Sequence, residues 1–148
     1  MYMYFKNQTL IPPPPVYSKL KKIKDLAEKN LPSLGQWEIA QVPEPIFNQQ
    51  DKNRSNPILN LMVHRESYFI FNTYVCSSKE VNSAAKTLIE AIEEHKIIPE
   101  ILLVREKIIL KELEPIAHAL GFKIVYPARL KAAPSALRDM RRLFRNRD

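Results

Sequence analysis

The stretch EILLVREKII, residues 100–109, runs an apolar block into Arg105-Glu106 and then into a helical pattern. Nucleic-acid-cutting enzymes built on mixed sheets often carry a metal-binding aspartate at such a strand end. A glutamate there could offer hard oxygen to Mg²⁺, whereas the arginine beside it disfavours a metal and favours an anion or a structural ion pair. The remaining reactive groups offer less. Cys76 is the only cysteine, which excludes an intramolecular disulfide and a cysteine-based zinc cluster. With no histidine close in sequence to activate it, its thiol reads as buried and inert. His64, His95 and His118 stand too far apart in sequence for two imidazoles to share one helix face. Gly35 and Gly121 are the only glycines, so neither a phosphate-binding P-loop nor a dinucleotide fingerprint can be built. Ser77, Ser78 and Ser135 lack the strand-turn-helix context of a nucleophile elbow and read as helix caps.

Cations are a second chemical resource, and they are unevenly spread. Residues 1–40 hold six bases and three acids, residues 41–128 ten and eleven, and residues 129–148 seven and two, within a net charge of +7. The body is close to neutral and the C-terminus carries the excess. Arg138, Arg141, Arg142, Arg145 and Arg147 can gain affinity for a polyanion by releasing its condensed counterions, nucleic acid above all. A solvated tail that aids solubility is the alternative. Lys19, Lys21, Lys22 and Lys24 could extend the basic surface, and Tyr2, Tyr4 and Phe5 could stack on bases or pack on a neighbouring surface.

These groups sit on a chain of 148 residues, a length that suits one domain. Its 45 % hydrophobic and 26 % charged content is ordinary for a globular protein. No run reaches the roughly 18 apolar residues of a spanning helix, and MYMYFKNQTL lacks the pattern of a secretion signal, so a cytoplasmic protein with no membrane partner is expected.

IPPPPV at 11–16 predicts a stiff polyproline II spacer, dividing an N-terminal arm, 1–15, from a single domain, 16–148. The arm could dock on a protein partner or on a second copy of the chain. An amphipathic helix follows, with Val16, Leu20, Ile23, Ala27 and Leu31 on one face, and it stops at Pro32. A short strand is predicted at 37–42, then a polar surface loop, then a hairpin of strands 57–64 and 67–75 turning at Arg65-Glu66. Ser77 and Glu80 have capping-box spacing for a helix that carries Val81, Ala84, Ala85, Leu88 and Ile92 on one face. EILLV reads as a strand covered on both sides. The next helix carries Ile109, Leu113, Ile116, Ala117 and Leu120, with Pro115 kinking or restarting it and Gly121 closing it. FKIVYP gives a last strand. SALRDMRRLFRNR gives a last helix with Leu137, Met140 and Phe144 inward and its arginines outward. Alternating strands and helices in the second half imply parallel strands, and the hairpin adds an antiparallel flank. The fold class is α/β, with α+β as the variant: a mixed sheet with helices on both faces.

Three strands running up and down, then helix, strand, helix, strand, helix, is an order that resembles the ribonuclease H-like fold from about Trp37 to Phe144. GQWE, a polar linker, a hairpin and PEILLVREKIILKELEPIAHALGFKIV are also similar to an uncharacterised bacterial domain family. The resemblance implies a two-metal nuclease site: an acid inside the first strand, another at the end of the fourth, and a third in a later helix. Metals about 4 Å apart would clamp the attacking and leaving oxygens. Matched residue by residue, strand 37–42 offers Glu38, strand 57–64 only the neutral Asn60, the fourth strand ends in Arg105-Glu106, and the last helix offers Asp139. Each has a structural reading too. Glu106 can complement a helix N-terminus, Asp139 can pair with arginines, and Glu38 can be a rim residue. The broken acidic set predicts a catalytically silent binding or interaction module with no cofactor and no metal, possible nucleic-acid contact running through Arg138, Arg141, Arg142 and Arg145. The alternatives are a metal-dependent nuclease using Glu38, Glu106 and Asp139, and a protein-protein module.

Overall fold

Pro14 opens the first helix in a computed structural model that describes residues 14–43, 57–77 and 80–145, with side chains for 21–43, 57–77 and 80–143. In chain order the elements are α1 (Pro14–Glu28), β1 (Gln36–Pro43), β2 (Pro57–His64), β3 (Ile70–Ser77), α2 (Ser83–His95), β4 (Ile101–Leu103), α3 (Lys107–Leu120), β5 (Lys123–Val125) and α4 (Ala132–Arg145). The five strands form one sheet in the order β3-β2-β1-β4-β5. β1 pairs antiparallel with β2, and β2 with β3; β1 pairs parallel with β4, and β4 with β5. This is the mixed α/β sheet that the alternation implied, with helices on both faces.

Side-chain alternation along β1 divides the interior. Trp37 and Ile39 join Met62, Phe71 and Leu102 in the larger core, together with Ile23 and Leu26 of α1, Leu88 and Ile92 of α2, and Leu113 and Ile116 of α3. On the other face Leu61 and Val63 lie under Ala132, Ala133 and Ala136 of α4, with Leu137 and Met140 partly buried at the margin. Small side chains on α4 let its axis settle close to the sheet.

Several expectations change. Pro14 and Pro15 belong to the first turn of α1 rather than to a polyproline II stretch, because that turn needs no N–H donor; residues 11–13, the arm before them and the loop at 44–56 lie outside the described residues. β3 begins at Ile70, not 67, since the turn spends Ser67 and Tyr68, the latter left-handed at φ 66. The capping box does not form. Ser77 ends β3, α2 starts only at Ser83, and Val81 is 59 % exposed. Glu80 is used in the turn, its N–H donating to the Ser77 carbonyl at 3.0 Å and its carboxylate accepting the Tyr74 hydroxyl at 2.6 Å. α3 runs unbroken through Pro115, held by buried Leu113, Ile116 and Ala117 on its inner face. Gly121 closes it at φ 85, as its position predicted. α4 starts at Ala132, with Pro134 in its first turn, ahead of the predicted Ser135.

Candidate functional site

Glu38 is fully buried on the α4 side of β1. A carboxylate there must find donors or lose several kcal/mol of hydration. It finds them in two distant segments. Register sets Trp37 opposite His64, which brings the β2–β3 turn beside the start of β1. Arg65 in that turn donates from Nη1 to Glu38 Oε2 at 2.7 Å, and from the same nitrogen to the Arg129 carbonyl at 3.0 Å. The Lys131 N–H reaches Oε1 at 3.1 Å and Oε2 at 3.0 Å, and the Ala133 N–H reaches Oε1 at 2.7 Å. Glu38 therefore caps α4 from another strand, with its charge at the positive end of the helix. Three donors hold the two oxygens, the Lys131 N–H shared between both, and the Arg65 cation occupies the side from which a metal would approach.

The other two candidate acids stand elsewhere. Glu106 is the extended residue before α3 (φ −115, ψ 139), exposed and without a side-chain capping bond. Asp139 is 67 % exposed and pairs with Arg142 at 3.4 Å. It lies six residues beyond Ala133, roughly 9 Å along the helix at about 1.5 Å per residue. Among the described residues no group of three or more His, Cys, Asp or Glu is placed to hold a metal ion. Of the arginines, Arg138 and Arg142 are exposed, Arg141 is half-buried, and the side chain of Arg145 lies outside the described ones.

Beyond the end of β4 opens a crevice of about 390 Å³, lined by Ile39, Gln41, Arg105, Ile109, Leu130 and Leu137 among others. It lies past the carboxyl end of β4 and alongside the second half of β1, where β4 no longer pairs. Arg105 also borders a shallower depression with Pro127, Ala128 and Arg129.

Two further clusters were not apparent from sequence spacing. Ser67, His64 and Glu66 align a hydroxyl, an imidazole and a carboxylate, with Ser67 Oγ 2.7 Å from His64 Nδ1 and His64 Nε2 3.2 Å from Glu66. The Ser67 N–H also donates to Nδ1 at 3.2 Å, so Nδ1 is the acceptor and Nε2–H donates to Glu66. Ser67 Oγ in turn accepts the Phe69 N–H, and the three residues work as a turn clamp. On the α2 side, Gln41 Nε2 donates to Asn60 Oδ1 at 2.9 Å and to Ser83 Oγ at 3.0 Å, and Asn60 Nδ2 lies 3.7 Å from Cys76 Sγ. Cys76 is half-buried rather than buried, and desolvation pushes its thiol up, which favours the protonated form. Nearby, Glu112 of α3 accepts the Ala85 N–H at 2.7 Å, supplying the cap that α2 lacks in its own sequence. Burial raises the Glu112 carboxyl above its ordinary value, an effect lessened by the N–H groups of Ala85 and Ala84.

The fold and these contacts define a mixed α/β domain whose central-strand carboxylate is closed by an arginine and a helix end. The model of the domain of unknown function DUF6930 matches residues 19–141, and the chain belongs to that family. No curated protein matches it. Among the described residues no helix is long and apolar enough to cross a membrane.

Proposed function

We propose that this domain is a binding module on a ribonuclease H-like scaffold, contacting an anionic partner, nucleic acid foremost, through the outer face of α4. The observation that carries the reading is the closure of Glu38: the carboxylate at the position where the resemblance asks for a metal ligand is fully buried and already holds Arg65 and the first turn of α4. The strand order, antiparallel for β1 to β3 and parallel for β4 and β5, supports the scaffold. Exposed Arg138 and Arg142 support the contact surface, with Arg105 and Arg129 as further exposed cations.

Such binding is driven by counterion release and weakens steeply with salt. The test measures affinity for single- and double-stranded oligonucleotides across a salt series. Binding that is absent, or that ignores salt, overturns the nucleic-acid reading. Mg²⁺- or Mn²⁺-dependent cleavage that disappears in Glu106→Gln would replace the module by a nuclease.

A further inference from the structure

β4 stops short of its neighbour. Its three residues pair with Gln36, Trp37 and Glu38, whereas β1 runs on to Pro43, held on its other side by β2 as far as Ile58. Register fixes which backbone groups remain. The Gln36 carbonyl accepts from Arg65 N–H at 2.7 Å, on the β2 side, and the Gly35 carbonyl accepts from Glu100 N–H at 2.8 Å, on the β4 side. Backbone groups alternate along a strand, so the N–H and C=O of Gln41 and the C=O of Pro43 face the side that β4 has vacated. Among the described residues no strand pairs there. Pro43, which has no N–H, is placed where the ladder asks for none.

The crevice of about 390 Å³ lies along this edge. It is lined by Ile39 and Gln41 from one face of β1 and by Ala40 and Val42 from the other, as befits a cavity entered edge-on. Ile109 of α3 and Leu137 of α4 wall it. At its β4 end stands Arg105, exposed and without an ion pair among the described residues.

We propose that this slot takes an extended peptide as an added strand beside β1, antiparallel to it, with its C-terminal carboxylate at Arg105. Three features specify that occupant. Main-chain groups with no partner strand among the described residues ask for main chain, which a helix cannot offer. Apolar walls above and below the sheet plane suit alternate apolar side chains. A lone cation at one end suits an anion where the strand would stop, and because Arg105 follows the β4 end, the peptide must run from the Pro43 level towards Ile39. Glu106 lines the same crevice and disfavours acidic side chains beside the terminal carboxylate.

The test screens the full chain against a library of short random peptides displayed with free C-termini, then titrates synthetic copies of those selected. Selected peptides should end in an apolar residue. C-terminal amidation should weaken binding about tenfold, the worth of one charge-assisted contact. Arg105→Gln should abolish the difference between free and amidated forms, and Leu137→Glu should abolish binding while leaving the circular dichroism spectrum intact. No enrichment, binding indifferent to amidation, or amide shifts confined to the outer face of α4 would overturn the proposal. So would protection of the Gln41 amide from hydrogen exchange in the peptide-free protein, because the chain's own residues would then be covering the edge.

Discussion

Arg65 sets its guanidinium 2.7 Å from Glu38, tying the β2–β3 turn to the interior of β1. Glu38 is fully buried while the Arg65 side chain keeps 24 % of its exposure, so the arginine reaches in from the surface to meet an acid that cannot reach out. Breaking a buried pair by removing one partner costs about 3–5 kcal/mol, because the other is left uncompensated. Glu38→Ala leaves the N–H groups of Lys131 and Ala133 without this acceptor and the Arg65 guanidinium with the Arg129 carbonyl but no counter-charge. It is expected to fall in that range by urea denaturation, with Glu38→Gln milder because one oxygen still accepts. A Glu38→Ala protein within about 1 kcal/mol of wild type would show that the clasp does not stabilise the fold.

Gly35 offers an independent probe of the same turn. It sits at φ +62, and a Cβ built on it would stand 2.5 Å from His64 Nε2 and 2.8 Å from Glu66 Oε1. Gly35→Ala therefore combines a left-handed backbone penalty of about 1 kcal/mol with a clash into the turn clamp. His64→Ala removes the nearer of the two clashing atoms but also loosens the turn clamp, so the destabilisation of the double variant should be smaller than the sum of the two single changes. Strictly additive losses would show that the clash with His64 carries no weight.

The residues that agree with sequence reasoning and those that escape it differ in range. β2 occupies 57–64 as read, because an apolar β-rich run bounded by Pro57 and Arg65-Glu66 carries its own limits. Gly121 closes α3 for an equally local reason. Glu38 meets its partners 27, 93 and 95 residues away, in a turn and a helix start whose approach depends on strand order. Periodicity marked Glu38 as an acid inside a strand and could say nothing about Arg65, which read only as half of a turn. The failed capping box at Ser77 has the same origin: α2 draws its cap from Glu112, 27 residues from Ala85 and on another helix. The stretch of β1 at Gln41, which has no partner on its β4 side among the described residues, was equally hidden, since it arises from β4 being shorter than β1.

The proposed contact face of α4 makes a prediction about slope rather than affinity alone. Removing one phosphate-binding cation should lower the dependence of log K on log salt by about one unit. Arg138→Ala and Arg142→Ala are each expected to do so, and Asp139→Asn should tighten binding, because the exposed Asp139–Arg142 pair at 3.4 Å competes with phosphate for the guanidinium. Exposed pairs contribute at most about 1 kcal/mol, so none of these changes should unfold the domain. Unchanged slopes in both arginine variants would move the binding surface away from this helix.

Glu112 links the α2 cap to pH. Burial raises its carboxyl above the ordinary 4.5, so the folded protein holds that proton more tightly than the unfolded chain does. For a carboxyl shifted upward, the associated stability is fully present below the unfolded value and is lost as pH rises through the folded one. The wild-type protein should therefore gain stability relative to Glu112→Gln as pH falls from neutral towards 4.5. The glutamine is the right reference: its oxygen can still accept the Ala85 N–H, yet it does not titrate. At neutral pH the variant should match or exceed wild type, because an ionised carboxylate bears a desolvation cost that an amide avoids. The measurement is the difference between the two urea midpoints across that window. If the difference instead widened in favour of the variant on acidification, the backbone donors of Ala84 and Ala85 would outweigh burial, and Glu112 would be a cap that depends on its charge.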